Sequence, residues 1–286
     1  MAGAIERVGV VGGGTMGSGI VELMALAGCS VTLAEIDSGA IEAARGRLEK
    51  SLGRALERGK IDEAAHAAAS GNIGYETELI ALADCDLVVE AVVEVEAVKH
   101  QIFSTLDGLM SSPDAVLASN TSSIPIATIA ASTTRPDRVL GMHFFNPAPV
   151  QKLVELIPSL LTSDATIDRV DAFATDVLGK TTIRAKDNGG FVVNKLLVPY
   201  LMAGIRMFEA GEAAAADIDT GMKLGCAHPM GPLELCDLIG LDVIADVAES
   251  LHAEYAEPLY APPPLLKRMV TAGLHGRKTG RGFYEY

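Results

Sequence analysis

The residues able to do chemistry gather in the run Gly141-Met142-His143-Phe144-Phe145-Asn146-Pro147, with Glu155 twelve positions past the histidine. Upstream lies Gly12-Gly13-Gly14-Thr15-Met16-Gly17, which fits G-x-G-x-x-G. An imidazole titrates near neutral pH. A carboxylate on one ring nitrogen sets its tautomer and stabilises the imidazolium, so the pair suits removal of an alcohol proton. The glycines permit a tight turn and let the backbone approach a pyrophosphate, which then rests on a helix N-terminus. A base beside a hydride-accepting dinucleotide is the chemistry of alcohol oxidation. The pattern alone also allows a hydrogen-bonded core histidine at His143 and a surface acid at Glu155.

The elements around these residues support the nucleotide reading. Val8 to Val11 reads as a buried strand, Met16 to Ala27 as a helix, and Val31 to Ala34 as a second strand. Gly12, Gly14, Thr15, Met16 and Gly17 then form the phosphate loop. Glu35 ends the second strand, eighteen residues after Gly17, where a carboxylate grips a ribose diol; Asp37 competes for that role. Glu35 would repel a 2′-phosphate, and no arginine lies within several residues of it, which favours NAD over NADP. Ser38 to about Lys60 reads as a long polar helix with six basic and three acidic side chains, a net +3. Arg47, Ser51, Arg54 and Arg58 share one of its faces. That face is either a grip for a phosphorylated substrate handle or a solvated surface of Glu-Arg pairs.

Ser119-Asn120-Thr121-Ser122-Ser123 follows an apolar strand at Ala115 to Ala118, and His143 follows another at Val139 to Met142. Both sit where open α/β sheets bind ligands. Ser122 either lines the substrate or caps a helix near Ile124. Asn194 either reaches the same crevice or is a polar helix contact.

The chain has 286 residues, of which 49% are hydrophobic and 5% aromatic, with no Trp. A net charge of -14 argues against nucleic acid or an anionic membrane as partner. Cys29, Cys85, Cys226 and Cys236 form no CxxC and no zinc spacing, so no metal is expected and the thiols read as reduced and cytoplasmic. No signal peptide is evident, and the apolar run Leu196 to Ile205 is too short to span a bilayer, which makes a soluble protein the expectation. Strands alternating with helices imply an α/β fold, a Rossmann-like doubly wound, mainly parallel sheet. After Arg184 the texture turns helical, over Phe191 to Ala210, Ala216 to Leu224 and Leu241 to Tyr255. The predicted domains are therefore a dinucleotide-binding domain, 1–185, and an all-α domain, 186–286.

Taken in order, these motifs closely resemble the L-3-hydroxyacyl-CoA dehydrogenase family, most of all its short bacterial 3-hydroxybutyryl-CoA dehydrogenases. The likeness runs almost end to end. It includes Val89-Glu90-Ala91-Val92-Val93-Glu94, Gly190-Phe191-Val192-Val193-Asn194, His228-Pro229-Met230-Gly231-Pro232 and the tail Arg277-Lys278-Thr279-Gly280-Arg281-Gly282-Phe283-Tyr284. The resemblance implies reversible, NAD-dependent oxidation of an (S)-3-hydroxyacyl-CoA. His143 would be the base and Glu155 its partner, with Ser122 and Asn194 holding the substrate oxygen. Glu94, Lys99, Asn146 and Lys278 match positions that contact the dinucleotide. Ser51 and Arg58 match positions that touch coenzyme A, beside Arg54 and with Lys60 as a rival for Arg58. The family commonly has Asp where this chain has Glu35. It also implies a homodimer formed through the helical domain. Two rivals stay open: a sugar-acid dehydrogenase of the lambda-crystallin type and a non-catalytic dinucleotide-binding protein.

Overall fold

The computed structural model describes residues 3–286. The chain divides into two compact units, Met1–Asp187 and Asn188–Tyr286.

In the first unit, short apolar runs become strands, and the central ones, over 87–90, 116–119 and 139–144, are buried on both faces, as expected of a sheet covered by helices on each side. The strands are β1 (Arg7–Val11), β2 (Ser30–Ala34), β3 (Ile73–Glu76), β4 (Leu87–Glu90), β5 (Val116–Ser119), β6 (Val139–Phe144), β7 (Leu153–Pro158) and β8 (Thr181–Arg184). They form one sheet in the order β3-β2-β1-β4-β5-β6-β7-β8. All pairings from β3 across to β6 are parallel, β7 runs antiparallel to β6, and β8 runs parallel to β7. The order reverses between β1 and β4, so the crevice at their carboxyl ends is the expected ligand position. Helices α1 (Thr15–Leu26), α2 (Ser38–Glu57), α3 (Glu63–Gly71), α4 (Glu96–Leu109), α5 (Ile126–Ala130) and α6 (Asp164–Ala172) connect the strands. Ile20, Val21 and Met24 of α1 pack with Val8, Val10, Leu33, Val89 and Ala118 of the sheet in one core.

The second unit contains α7 (Val193–Glu209), α8 (Ala215–Gly225), α9 (Pro232–Ile239), α10 (Leu241–Tyr255) and α11 (Pro264–Thr271). Leu201, Met202, Ile205, Leu233, Leu241, Ala248, Leu251 and Leu266 fill its core. Two buried acids tie down the tail. Asp237 accepts from the Phe283 and Tyr284 N–H groups, and Asp219 accepts from the Leu233 and Glu234 N–H groups and the Tyr284 hydroxyl.

Some boundaries differ from the sequence reading for local reasons. The helix expected from Phe191 starts at Val193, because Gly190 and Phe191 take positive φ of 73° and 48°. The helix α2 ends at Glu57 rather than near Lys60, with Gly59 left-handed just beyond. The turn at His228 to Pro232 opens α9, with Pro232 in its first turn. The strands β3, β7 and β8 are additional to the sequence reading. No described helix is long and apolar enough to cross a membrane. Among the described residues no group of three or more His, Cys, Asp or Glu could hold a metal ion.

Candidate active site

The antiparallel return of β7 makes the histidine-carboxylate pair. His143 and Glu155 stand directly opposite each other in the β6–β7 register, so their side chains leave the same face of the sheet as a cross-strand pair. The imidazole Nδ1 meets Glu155 Oε2 at 2.7 Å. Glu155 is 0% and His143 6% exposed, a setting in which a charge-assisted bond is strong because water does not compete. With Nδ1 donating to the carboxylate, the neutral imidazole carries its basic lone pair on Nε2. The Phe145 ring packs on the imidazole, centroids 4.6 Å apart.

At the ends of β4 and β5 lies a buried polar network built around Glu90, a residue to which the sequence analysis gives no role of its own beyond the motif Val89 to Glu94. Glu90 pairs with Ser119 in the β4–β5 register and is 0% exposed. Its Oε1 accepts from Lys99 Nζ at 2.6 Å and the Val92 N–H at 2.7 Å; its Oε2 accepts from the Ser119 hydroxyl at 2.6 Å. Lys99, 1% exposed, also reaches Glu94 Oε2 at 3.2 Å. Glu94 Oε1 in turn accepts from the Thr121 hydroxyl at 2.5 Å and the Ser122 N–H at 3.0 Å. Burial pushes the Glu94 carboxyl up, but the Lys99 ammonium and the Thr121 and Ser122 hydrogen bonds outweigh it and hold the group below the usual carboxylate range. Lys99 is thus the buried counter-ion beneath Glu94, and the two together fix the Ser122 loop. Ser122 does not cap the next helix. The Asp187 carboxylate does, accepting from the Ile126 and Ala127 N–H groups at 2.6 and 2.7 Å. Asn120 accepts from the Phe144 N–H at 2.9 Å, joining the ends of β5 and β6. Asn146 lies exposed just past β6.

The glycine loop fits a dinucleotide phosphate on its own geometry. Gly12 has φ of 92°, and a Cβ there would approach the Ala91 carbonyl oxygen to 2.9 Å. A Cβ on Gly17 would collide with the Gly12 carbonyl oxygen. Gly14 caps α1 without a side-chain hydrogen bond, and the first turn, Thr15 and Met16 included, carries no acid. The free N–H groups and positive end of α1 therefore stay available to an anion. Glu35 Oε1 accepts from the Gly13 N–H at 2.6 Å and Oε2 from the Ile36 N–H at 3.1 Å. A carboxylate has about four lone-pair directions, so capacity for a ribose diol remains. Asp37 is committed elsewhere: it caps α2 through the Ala40 N–H at 2.8 Å.

The basic stripe on α2 separates into parts. Arg47 curls back to the glycine loop, and the Ser51 hydroxyl bonds the buried Glu22 of α1, whose carboxyl burial pushes up. Arg54, Arg58 and Lys60 are exposed. In the second unit, Asn194 lies in the first turn of α7, and Lys278 pairs with Asp242 at 2.5 Å.

The chain matches two family models, the NAD-binding domain of 3-hydroxyacyl-CoA dehydrogenase over residues 7–188 and its C-terminal domain over 190–286. It is 54% identical to the 3-hydroxybutyryl-CoA dehydrogenase of Mycobacterium tuberculosis over 286 residues, the full length of both chains. It is 42% identical to the human mitochondrial hydroxyacyl-coenzyme A dehydrogenase, covering 99% of this chain and 91% of that one. Among solved structures it is similar to FadB2 of Mycobacterium tuberculosis, with TM-score 0.98 and 55% identity, covering 99% of this chain and 100% of that one. It is also similar to the (S)-3-hydroxybutyryl-CoA dehydrogenase of Ralstonia eutropha, with TM-score 0.91, 44% identity and 99% of each chain covered. A buried His-Glu pair and a dinucleotide loop on one doubly wound sheet, with these matches along the whole chain, make the protein a member of the 3-hydroxyacyl-CoA dehydrogenase family.

Proposed function

We propose that this chain catalyses the reversible, NAD-linked oxidation of (S)-3-hydroxybutyryl-CoA to acetoacetyl-CoA. The observation that carries this reading is the buried 2.7 Å pair of His143 with Glu155, on a domain of the NAD-binding class. His143 takes the proton of the 3-hydroxyl at Nε2 while Glu155 stabilises the imidazolium that results; in the reverse direction the imidazolium returns the proton to the 3-oxo oxygen. NAD, when bound, accepts the hydride that leaves C3. Ser122, held by Glu94, and Asn194 hold the substrate oxygen in this reading. Glu35 takes the ribose, and Gly12, Gly14, Thr15, Met16 and Gly17 take the pyrophosphate. Glu94, Asn146 and Lys278 complete the dinucleotide contacts, with Lys99 acting beneath Glu94. Ser51 and Arg54 on α2, with Arg58 at its C-cap, take the coenzyme A handle in this reading.

The reading extends to a homodimer formed through the helical unit, supported by apolar side chains that α7 leaves exposed, Leu196 and Met207. It extends also to the cytoplasm, supported by four free cysteines.

The test is acetoacetyl-CoA-dependent loss of NADH absorbance, with NADPH and free acetoacetate in parallel. Turnover with NADH and the thioester alone is expected. His143→Ala should lower kcat by about 10²–10⁴-fold while NADH binding stays within about twofold. Loss of NADH binding together with fold in that variant would remove the base assignment, and turnover of free acids but not thioesters would replace the substrate class.

A further inference from the structure

Sequence order leaves Glu35 without an arginine nearby, yet the fold brings one. Arg47, on the third turn of α2, donates from Nε and Nη2 to the Gly13 carbonyl oxygen at 3.0 and 2.8 Å. The N–H of the same glycine donates to Glu35 Oε1 at 2.6 Å. One residue of the dinucleotide loop is thus held by a carboxylate on its N–H and a guanidinium on its carbonyl. Arg47 has no carboxylate partner among the described residues, and two of its five N–H donors are engaged, so three remain.

In this fold class an acid at the end of the second strand receives the ribose 2′-hydroxyl, and an arginine nearby accommodates a 2′-phosphate instead. Both groups are present here on one peptide segment. We propose that Arg47 is a specificity-determining residue, a 2′-phosphate-binding cation already in place whose use is blocked by the Glu35 carboxylate alone. This rests on the dinucleotide reading of the loop. The choice of NAD over NADP then lies in one charge rather than in the absence of a cation. Removing that charge exposes a guanidinium fork whose planar donors match a phosphate.

The probes are AMP and adenosine 2′,5′-bisphosphate, titrated by calorimetry into the full-length protein. They differ only by the 2′-phosphate. The principal variant is Glu35→Gln, whose amide oxygen still accepts from the Gly13 N–H; Glu35→Ser is a smaller second variant that leaves room. The parent should prefer AMP. Either Glu35 variant should bind the bisphosphate at least about tenfold more tightly than the parent does, the scale of one charge-assisted hydrogen bond. Adding Arg47→Gln should abolish that gain, read within each variant as the ratio of bisphosphate to AMP affinity. A gain that survives loss of Arg47, or no gain in either folded Glu35 variant, overturns the proposal while leaving the NAD reading standing. A parent that binds neither AMP nor NADH overturns both. Thermal melts of each variant identify any that fail to fold. A lowered KM for NADPH in the Glu35 variants, lost with Arg47→Gln, is the kinetic counterpart.

Discussion

The buried Glu90–Lys99 pair offers the sharpest test of how this site is supported. Lys99→Met keeps most of the side-chain volume and removes the ammonium. At 2.6 Å and an effective dielectric of about 20, the gross attraction is about 6 kcal/mol. Desolvation of two charges that are 0% and 1% exposed offsets much of it. The net worth of the pair is therefore small, but breaking it leaves the buried Glu90 carboxyl without its cation, with only the Val92 N–H and the Ser119 hydroxyl. One-sided loss of such a pair costs about 3–5 kcal/mol. For a unit of this size each kcal/mol moves the midpoint by about 2–4 °C, so Lys99→Met should melt roughly 6–20 °C lower. The double variant Glu90→Leu with Lys99→Met removes both charges and should recover more than half of that loss, giving a coupling above about 2 kcal/mol. Calorimetric melts of parent, singles and double measure this directly. A single variant that melts within about 2 °C of the parent, or a coupling below about 0.5 kcal/mol, would refute the description of Lys99 as a buried counter-ion. The double variant should remain impaired in catalysis, because Glu94 has lost its cation and the Ser122 loop its anchor.

Three further outcomes follow from the same geometry. Glu155→Gln keeps a hydrogen-bond acceptor for His143 but removes the charge that stabilises imidazolium; kcat should drop by about 10²–10⁴-fold, and a variant with parental kcat would contradict the proposed role. For Asp107, burial raises the carboxyl, but the Thr134 N–H and hydroxyl and the Arg135 guanidinium outweigh it and hold the group low. A depressed acid contributes stability that is present above its unfolded value, about 4, and lost as pH falls through the lower folded value. Denaturant titrations should therefore show Asp107→Asn losing stability less steeply than the parent below pH 4, and parallel curves would remove Asp107 from the acid limb. Burial pushes up the thiols of Cys29, Cys85, the latter to about 11, and Cys236, whereas Cys226 is exposed. A disulfide reagent at pH 8 should consume Cys226 rapidly and the other three only after unfolding; rapid native reaction of two or more thiols would show the core to be open.

The part of the fold legible in the sequence is the part written locally. A glycine turn between an apolar strand and an amphipathic helix specifies β1, its loop, α1 and the position of Glu35 within one contiguous stretch. The His143–Glu155 pair was legible as chemistry, but not the reason the two meet. A twelve-residue separation becomes a contact only because β7 returns antiparallel to β6, and nothing near Leu153 states the direction of a strand. Glu90 left a signal, a carboxylate inside an apolar run, whose meaning depended on Lys99 one helix later. Arg47 left a misleading one. Its spacing places it with Ser51, Arg54 and Arg58 on α2, but a long side chain turns its head away from its own helical face, here to a carbonyl 34 residues distant.

That displacement resolves a difficulty posed by composition. A chain of net charge -14 must still bind a dinucleotide and a thioester that carry several phosphates. For the dinucleotide the structure offers an alternative to a basic surface. At the glycine loop the positive potential comes from backbone, the uncapped N-terminus of α1, and from one guanidinium clamped to Gly13. At the β4 end the cation is buried, so its charge emerges only through the carboxylates it holds. Fixed donors of this kind act at short range, where the interaction exceeds the screened repulsion from acids more than a Debye length of about 8–10 Å away. They also discriminate, since a carboxylate such as Glu35, set among them, can admit a diol and reject a phosphate at the same place. Net charge therefore bounds which macromolecules this protein attracts from a distance, whereas in the proposed reading the choice between dinucleotides falls to a few groups fixed to the ends of β1, β2 and β4.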